Sequence, residues 1–152
     1  MAEIKVGQEA PDFALQDENG EKVHLAELHG QPVVLVFFPL DFSPVCTGEM
    51  CEIRDRSLDI APTGAKVFGI SRDSRYTHKA FKEKEGLKIS LLADMNGAVA
   101  REYGTWNEQF GLAERLTVVI DKNGKIAFTD RSPAIPTARD QQKMLDAVKA
   151  LA

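Results

Sequence analysis

Val33-Val-Leu-Val-Phe-Phe38-Pro39-Leu-Asp-Phe-Ser43-Pro44-Val-Cys46-Thr-Gly48-Glu49-Met-Cys51 opens with six apolar residues that run unbroken into a proline. Such a run reads as a strand, Val33–Phe38, buried on both faces. Pro39 ends it, because proline has no N–H to give to a sheet ladder. Ser43-Pro44 marks the start of a helix: the serine is expected to accept a backbone hydrogen bond at the cap, and proline suits the first helical position. Cys46 then lies in the first helical turn, at the C-terminal mouth of a central strand. Free backbone N–H groups and the positive end of the helix dipole gather there. That placement favours the thiolate, which is the reactive form of cysteine. Both cysteines of the chain fall on this one helix, expected to reach about Ile60 before Pro62-Thr-Gly64.

Upstream, Ala10-Pro11-Asp12-Phe13 is an extended entry. Phe13–Leu15 and Lys22–Leu25 flank Asp17-Glu-Asn19-Gly20, where the Asn-Gly pair predicts a type I′ hairpin. Leu25–Leu28 reads as a helical turn closed by Gly30. Downstream, Lys66–Ser71 is a second apolar strand. Ser74–Glu85 is predicted to be an amphipathic helix, with Tyr76, Ala80 and Phe81 inward and Gly86 as its stop. A short strand over Ile89–Ala93 and a helix over Asn96–Tyr103 follow. Trp106–Glu114 lacks periodicity and reads as a loop. Leu116–Ile120 and Lys125–Phe128 form a hairpin about Asp121–Gly124, and Thr137–Leu151 is a closing helix with Met144, Leu145, Val148 and Leu151 inward. Strand, helix, strand, helix and a final hairpin plus helix describe an α/β domain with a central mixed sheet.

Length and composition exclude several classes of function. With 152 residues, 43% hydrophobic and 28% charged, the chain has the make-up of one globular domain. A net charge of −4 and a pI near 5.4 give no footing for nucleic acid. The Val33–Phe38 run is far short of the about 20 residues a membrane span needs. Met1-Ala-Glu-Ile-Lys carries no basic-then-apolar leader, so the expected compartment is the cytoplasm, where a cysteine pair is more often redox-active than structural. His24, His29 and His78 lack metal-ligand spacing and read as structural or exposed; no cofactor or metal is expected.

Pro39, Ser43 and Cys46 together resemble the Pro-x-x-x-Thr/Ser-x-x-Cys signature of the peroxiredoxins of the AhpC/TSA superfamily. Ala10-Pro11-Asp12-Phe13 is similar to that family's N-terminal entry, and Arg115-Leu-Thr-Val-Val-Ile-Asp121 to its arginine-bearing strand. A second cysteine five residues after the first is similar to the Q-type, bacterioferritin-comigratory subgroup, while other stretches resemble the one-cysteine AhpE type. The resemblance implies a thioredoxin-like fold over residues 1–152, with helices flanking a central mixed sheet and an N-terminal hairpin. It also implies a thiol peroxidase acting on hydrogen peroxide and organic hydroperoxides. Cys46 would attack the peroxide and become a sulfenic acid; Ser43 would hydrogen-bond the thiolate or peroxide, and Pro39 would shield the site. Arg115 would favour the thiolate and donate to the peroxide oxygens, with Glu49 orienting it. Cys51 would resolve the sulfenic acid as an intramolecular disulfide, and a thioredoxin- or glutaredoxin-like dithiol would reduce that bond. Relatives of the two types are often monomers or homodimers.

Two features of the residues qualify this picture. A carboxylate one turn from Cys46 disfavours a second negative charge, so Glu49 must be paired with an arginine, Arg115 or Arg54. Residues five apart on an intact helix are roughly 8–9 Å and about 140° apart, whereas a disulfide wants Cα atoms within about 7 Å. The first turns must therefore unwind for Cys46 and Cys51 to meet, and Thr47 and Gly48 are weak helix formers placed between them. Two alternatives stay open: a one-cysteine peroxidase resolved by an external thiol, and a thioredoxin-like redox carrier or sensor. The carrier lacks support, since serine holds the first place of Ser43-Pro-Val-Cys46 and no proline lies in Leu112–Val119.

Overall fold

Apolar runs form the centre of a seven-stranded sheet in the computed structural model, which describes residues 3–151. Met1, Ala2 and Ala152, at the ends of the expected leaderless domain, lie outside the described residues. In chain order the elements begin with strands β1 (Ala14–Gln16) and β2 (Lys22–His24), a 3-10 turn over Leu25–Leu28, and β3 (Val33–Phe37). Helices α1 (Pro44–Asp55) and α2 (Ser57–Ile60) precede β4 (Lys66–Ser71), α3 (Arg75–Glu85), β5 (Ser90–Ala93) and α4 (Ala98–Glu102). Two short strands, β6 (Trp106–Asn107) and β7 (Leu112–Ala113), lead into β8 (Leu116–Ile120), β9 (Ile126–Arg131) and α5 (Gln141–Lys149).

The sheet order is β2-β1-β5-β4-β3-β8-β9, with β3, β4 and β5 mutually parallel and β8 antiparallel to β3. Helical crossovers between parallel strands place helices over the sheet, and both faces are covered. The alternation of β3 divides the interior. Val34 and Val36 pack with Met50 and Ile53 of α1, Phe81 of α3, and Met144, Leu145 and Val148 of α5. Leu35 and Phe37 pack on the other side with Phe13, Leu25, Tyr103 and Trp106.

Several expectations are corrected. The β1–β2 connection is not type I′, which would need positive φ at Asn19 as well as at Gly20; among the described residues Phe42 is the only non-glycine with positive φ. Asp17 instead builds a type I turn, its carbonyl accepting from Gly20 N–H and its carboxylate from the N–H groups of Asn19 and Glu21. The cysteine helix stops at Asp55 and restarts as α2, because Arg56 leaves helical geometry at φ −95°, ψ 8°. Tyr76 and Ala80 are exposed, and the inward face of α3 is His78 and Phe81. Trp106–Glu114 holds a small hairpin rather than a plain loop, with Trp106 paired to Ala113. The last helix starts at Gln141, capped by the Asp140 side chain, four residues later than its periodicity predicts. Leu151 is only partly buried.

Candidate active site

β3 ends at Phe37, and Pro39 is buried just beyond it. α1 begins at Pro44, which puts Cys46 in the first turn, wholly buried. The register of β3 with β8 sets Phe37 opposite Leu116, so Arg115, the residue before β8, lies alongside the end of β3. Its Nη1 donates to Cys46 Sγ at 3.1 Å and to Glu49 Oε1 at 2.7 Å. Its Nε donates to the Ile135 carbonyl at 2.5 Å, which fixes the guanidinium from behind. Glu49 is three residues after Cys46 and therefore on the same face of α1.

A second arginine completes the cluster. Arg139 donates from its backbone N–H and Nε to Glu49 Oε2, at 2.7 and 2.9 Å, and from Nη2 to Oε1 at 2.8 Å. Its Nη1 donates to the Phe37 carbonyl at 2.7 Å. Burial alone would push the Glu49 carboxyl up; the bonds and charge of Arg139, followed by the charge of Arg115, reverse this and hold it below the usual 4.5. Arg54 is not a partner of Glu49: it reaches Asp55 and the Glu85 carbonyl. Nothing in the periodicity points to Arg139, which falls inside the stretch predicted as helix. The pair Pro136…Asp140 is the available signal, since Asp is a cap residue and would set Arg139 outside the helix.

The remaining predicted residues fall less closely together. Ser43 occupies the N-cap position, but its side chain accepts no bond from the helix; the hydroxyl donates to the Leu40 carbonyl at 3.1 Å. The expected cap is therefore absent, and the hydroxyl is not bonded to Cys46 among the described residues. Helix geometry leaves the N–H groups of Val45 and Cys46 without intrahelical partners, the first helical bond running from Thr47 N–H to the Ser43 carbonyl. Cys51 is partly buried further along the same unbroken helix, and both thiols are free. Phe42, in the loop before α1, is 45% exposed.

The loop between β3 and α1 is anchored by a buried pair. His78 Nε2 faces the Leu92 carbonyl at 3.0 Å and must donate to it, while Nδ1 faces Asp41 Oδ2 at 2.6 Å. One proton is thus shared between imidazole and carboxyl, whichever atom carries it. Burial pushes the Asp41 carboxyl up, the bond and charge of His78 oppose this, and the charge of Asp73 adds to it. Asp41, Asp73 and His78 bring potential metal-ligand atoms within 4.8 Å of one another. Protein hydrogen bonds engage them: Asp73 Oδ2 accepts from Asp41 N–H at 2.8 Å and from Ser71 Oγ at 2.5 Å. His78→Gln is expected to cost about 1–3 kcal/mol, since a shorter side chain cannot span both acceptors and leaves a buried one unmet. Thermal unfolding followed by circular dichroism reads that loss.

A family model for AhpC/TSA matches residues 6–129. Alkyl hydroperoxide reductase E of Mycobacterium tuberculosis is 39% identical over 152 residues, covering 97% of this chain and 98% of its own length. A chloroplastic peroxiredoxin Q of Oryza sativa subsp. japonica is 40% identical over 126 residues, and the match spans 58% of that longer protein. Among solved structures, peroxidoxin BcpB from Mycobacterium tuberculosis superposes with a TM-score of 0.88 at 32% identity, covering 98% of this chain and 99% of that one. A peroxiredoxin-like protein from Aquifex aeolicus, at 22% identity and a TM-score of 0.91, covers all of this chain and shares its fold. The mixed sheet flanked by helices is thus thioredoxin-like.

Proposed function

Given that the chain belongs to the AhpC/TSA family, we propose that it is a thiol-dependent peroxidase for hydrogen peroxide and organic hydroperoxides, with Cys46 as its nucleophile. The observation that carries this reading is the Arg115 guanidinium, 3.1 Å from Cys46 Sγ and held there by Glu49 and the Ile135 carbonyl. Two guanidiniums face the Glu49 carboxylate and the sulfur, so a thiolate at Cys46 brings the buried cluster to neutrality instead of leaving a bare charge. The thiolate attacks the terminal peroxide oxygen. As the S–O bond forms the O–O bond breaks, and the departing oxygen takes up the proton given up by the thiol, leaving as water or alcohol. Arg115 and the unpartnered N–H groups of the first helical turn are aimed where that charge grows. Pro39 excludes water from one side, and Ser43, by turning its hydroxyl to Leu40, leaves those N–H groups for the peroxide.

Cys51 resolves the sulfenic acid in this reading. Its sulfur attacks Cys46 sulfur, a disulfide forms, and the hydroxyl leaves as water; a thioredoxin- or glutaredoxin-like dithiol then restores both thiols. Residues 1–152 act as one domain in a reducing compartment such as the cytosol. No helix among the described residues is long and apolar enough to cross a membrane. The disulfide requires the first turns of α1 to open. A Cβ at Gly48 would meet nothing within 4 Å, so the glycine is there for no steric reason and weakens the helix it sits in. Gly48→Ala is accordingly expected to stabilise α1 by about 0.5–1 kcal/mol and to slow disulfide formation by up to about fivefold, with peroxide reduction unchanged in stopped-flow fluorescence.

Mass spectrometry after one equivalent of peroxide tests the reading. The protein is expected to lose two hydrogens as an internal disulfide, whereas Cys51→Ser accumulates sulfenic acid. A Cys46 that reacts with peroxide no faster than free cysteine would sink the peroxidase reading. A persistent sulfenic acid in the unmutated protein favours the one-cysteine form instead.

A further inference from the structure

α3 holds the segment that carries the two cysteines at both of its ends, at Asp41 and Phe42 before α1 and at Cys51 and Arg54 within it. His78, Phe81 and Glu85, at i, i+3 and i+7, lie on one face of it. His78 holds Asp41 at 2.6 Å, and the Phe81 ring packs on Phe42 with centroids 5.0 Å apart. Phe42 has φ +68°, a conformation that costs a bulky side chain energy and needs such holding. The last contact falls on the resolving cysteine: Cys51 Sγ donates to Glu85 Oε1 at 3.5 Å. One residue turn further on, Arg54 Nη1 donates to the Glu85 carbonyl at 2.5 Å, satisfying a carbonyl at the end of α3 that has no helical partner.

We propose that Glu85 is a positioning residue that latches Cys51 to α3 and so withholds it from the Cys46 sulfenic acid, an inference that rests on Cys51 being the resolving cysteine. The latch acts in two ways with the same sign. Its hydrogen bond must break before α1 can unwind toward Cys46. It is also made by the thiol and not by the thiolate, since a carboxylate accepts a proton and repels a second negative charge. Burial first, then the Glu85 bond, push the Cys51 thiol up, against the pull of Arg54. Resolution needs the opposite state: the thiol gives its proton to solvent, the thiolate attacks Cys46 sulfur, the S–S bond forms, and the hydroxyl of the sulfenic acid leaves as water. Glu85 thereby lengthens the life of the sulfenic acid, and excess peroxide has time to carry some of it to the sulfinic acid.

Glu85→Gln keeps the shape of the side chain and removes its charge. Stopped-flow fluorescence with hydrogen peroxide, paired with rapid acid quench and mass spectrometry, separates the steps. The first phase is expected at the unmutated rate, and disulfide formation about three- to tenfold faster. Less sulfinic acid is expected at excess peroxide. Glu85→Asp, with its charge kept but drawn back by one methylene, is expected to fall between the two. Disulfide formation at equal rates in all three proteins overturns the latch while leaving Cys51 as resolver. Absence of any internal disulfide in the unmutated protein overturns the resolver assignment itself, and the latch with it.

Discussion

Arg115→Met is expected to lower the second-order rate constant of Cys46 with hydrogen peroxide by about 10²–10³-fold, the usual cost of deleting one preorganised donor at a site of developing charge. The side chain has no equivalent nearby. Arg139, the other guanidinium of the cluster, makes all its bonds to Glu49, the Phe37 carbonyl and Thr117, and none to the sulfur. Arg115→Lys keeps a positive charge but loses the fork that lets one guanidinium reach Sγ, Glu49 and the Ile135 carbonyl together. It is expected to recover only part of the rate. The fold should survive both changes, because Arg139 still neutralises Glu49. Stopped-flow kinetics alongside thermal unfolding makes the comparison. A variant that keeps full reactivity at unchanged stability would remove Arg115 from the chemistry.

Arg139→Met is expected to be the more damaging change for stability. It strips two of the four donors, and the one positive charge bonded to both oxygens, from a carboxylate whose side chain has no solvent exposure, leaving the backbone N–H of residue 139 and Arg115. It also frees the Phe37 carbonyl at the end of β3. Breaking a buried pair from one side typically costs about 3–5 kcal/mol. Activity falls as well, since Glu49 would then draw Arg115 away from Cys46. The effect depends on pH in a defined direction. The folded protein holds Glu49 below its ordinary value of 4.5, so the pairing contributes fully above that value and is lost as pH falls through the depressed folded one. The stability gap between the unmutated protein and Arg139→Met should therefore be widest near neutrality and narrow below pH 4.5. Urea unfolding at a series of pH values reads it. A gap independent of pH would mean that the damage comes from packing and not from the ion pair.

The parts of this molecule that were legible in its sequence are those set by neighbours along the chain. An unbroken apolar run and its proline located β3. Ser43-Pro44 located the start of α1, and with it the position of Cys46 at a strand-to-helix junction. Turn chemistry located both hairpins, although the turn type at Asp17–Gly20 was decided by backbone angles that an Asn-Gly pair does not determine. Periodicity found α3 but misplaced its face, because Tyr76 and Ala80 have the right character and the wrong angle. The buried stripe uses a histidine, which hydropathy discounts.

Cys46, its helix turn and the need for a cation near Glu49 follow from local rules: dihedral preference, capping position, and three-residue spacing on a helix. Which cation arrives does not. Arg115 stands 66 residues from Glu49 and Arg139 stands 90, while His78 meets Asp41 across 37. The first two exist only after β8 has docked beside β3 and the chain has brought Arg139 back against Glu49, and the third only after α3 has packed on the loop before α1. Local propensity is a property of a few bonds, whereas a buried charge finds its partner through the whole path of the backbone, and only the folded sheet shortens that path to 3 Å.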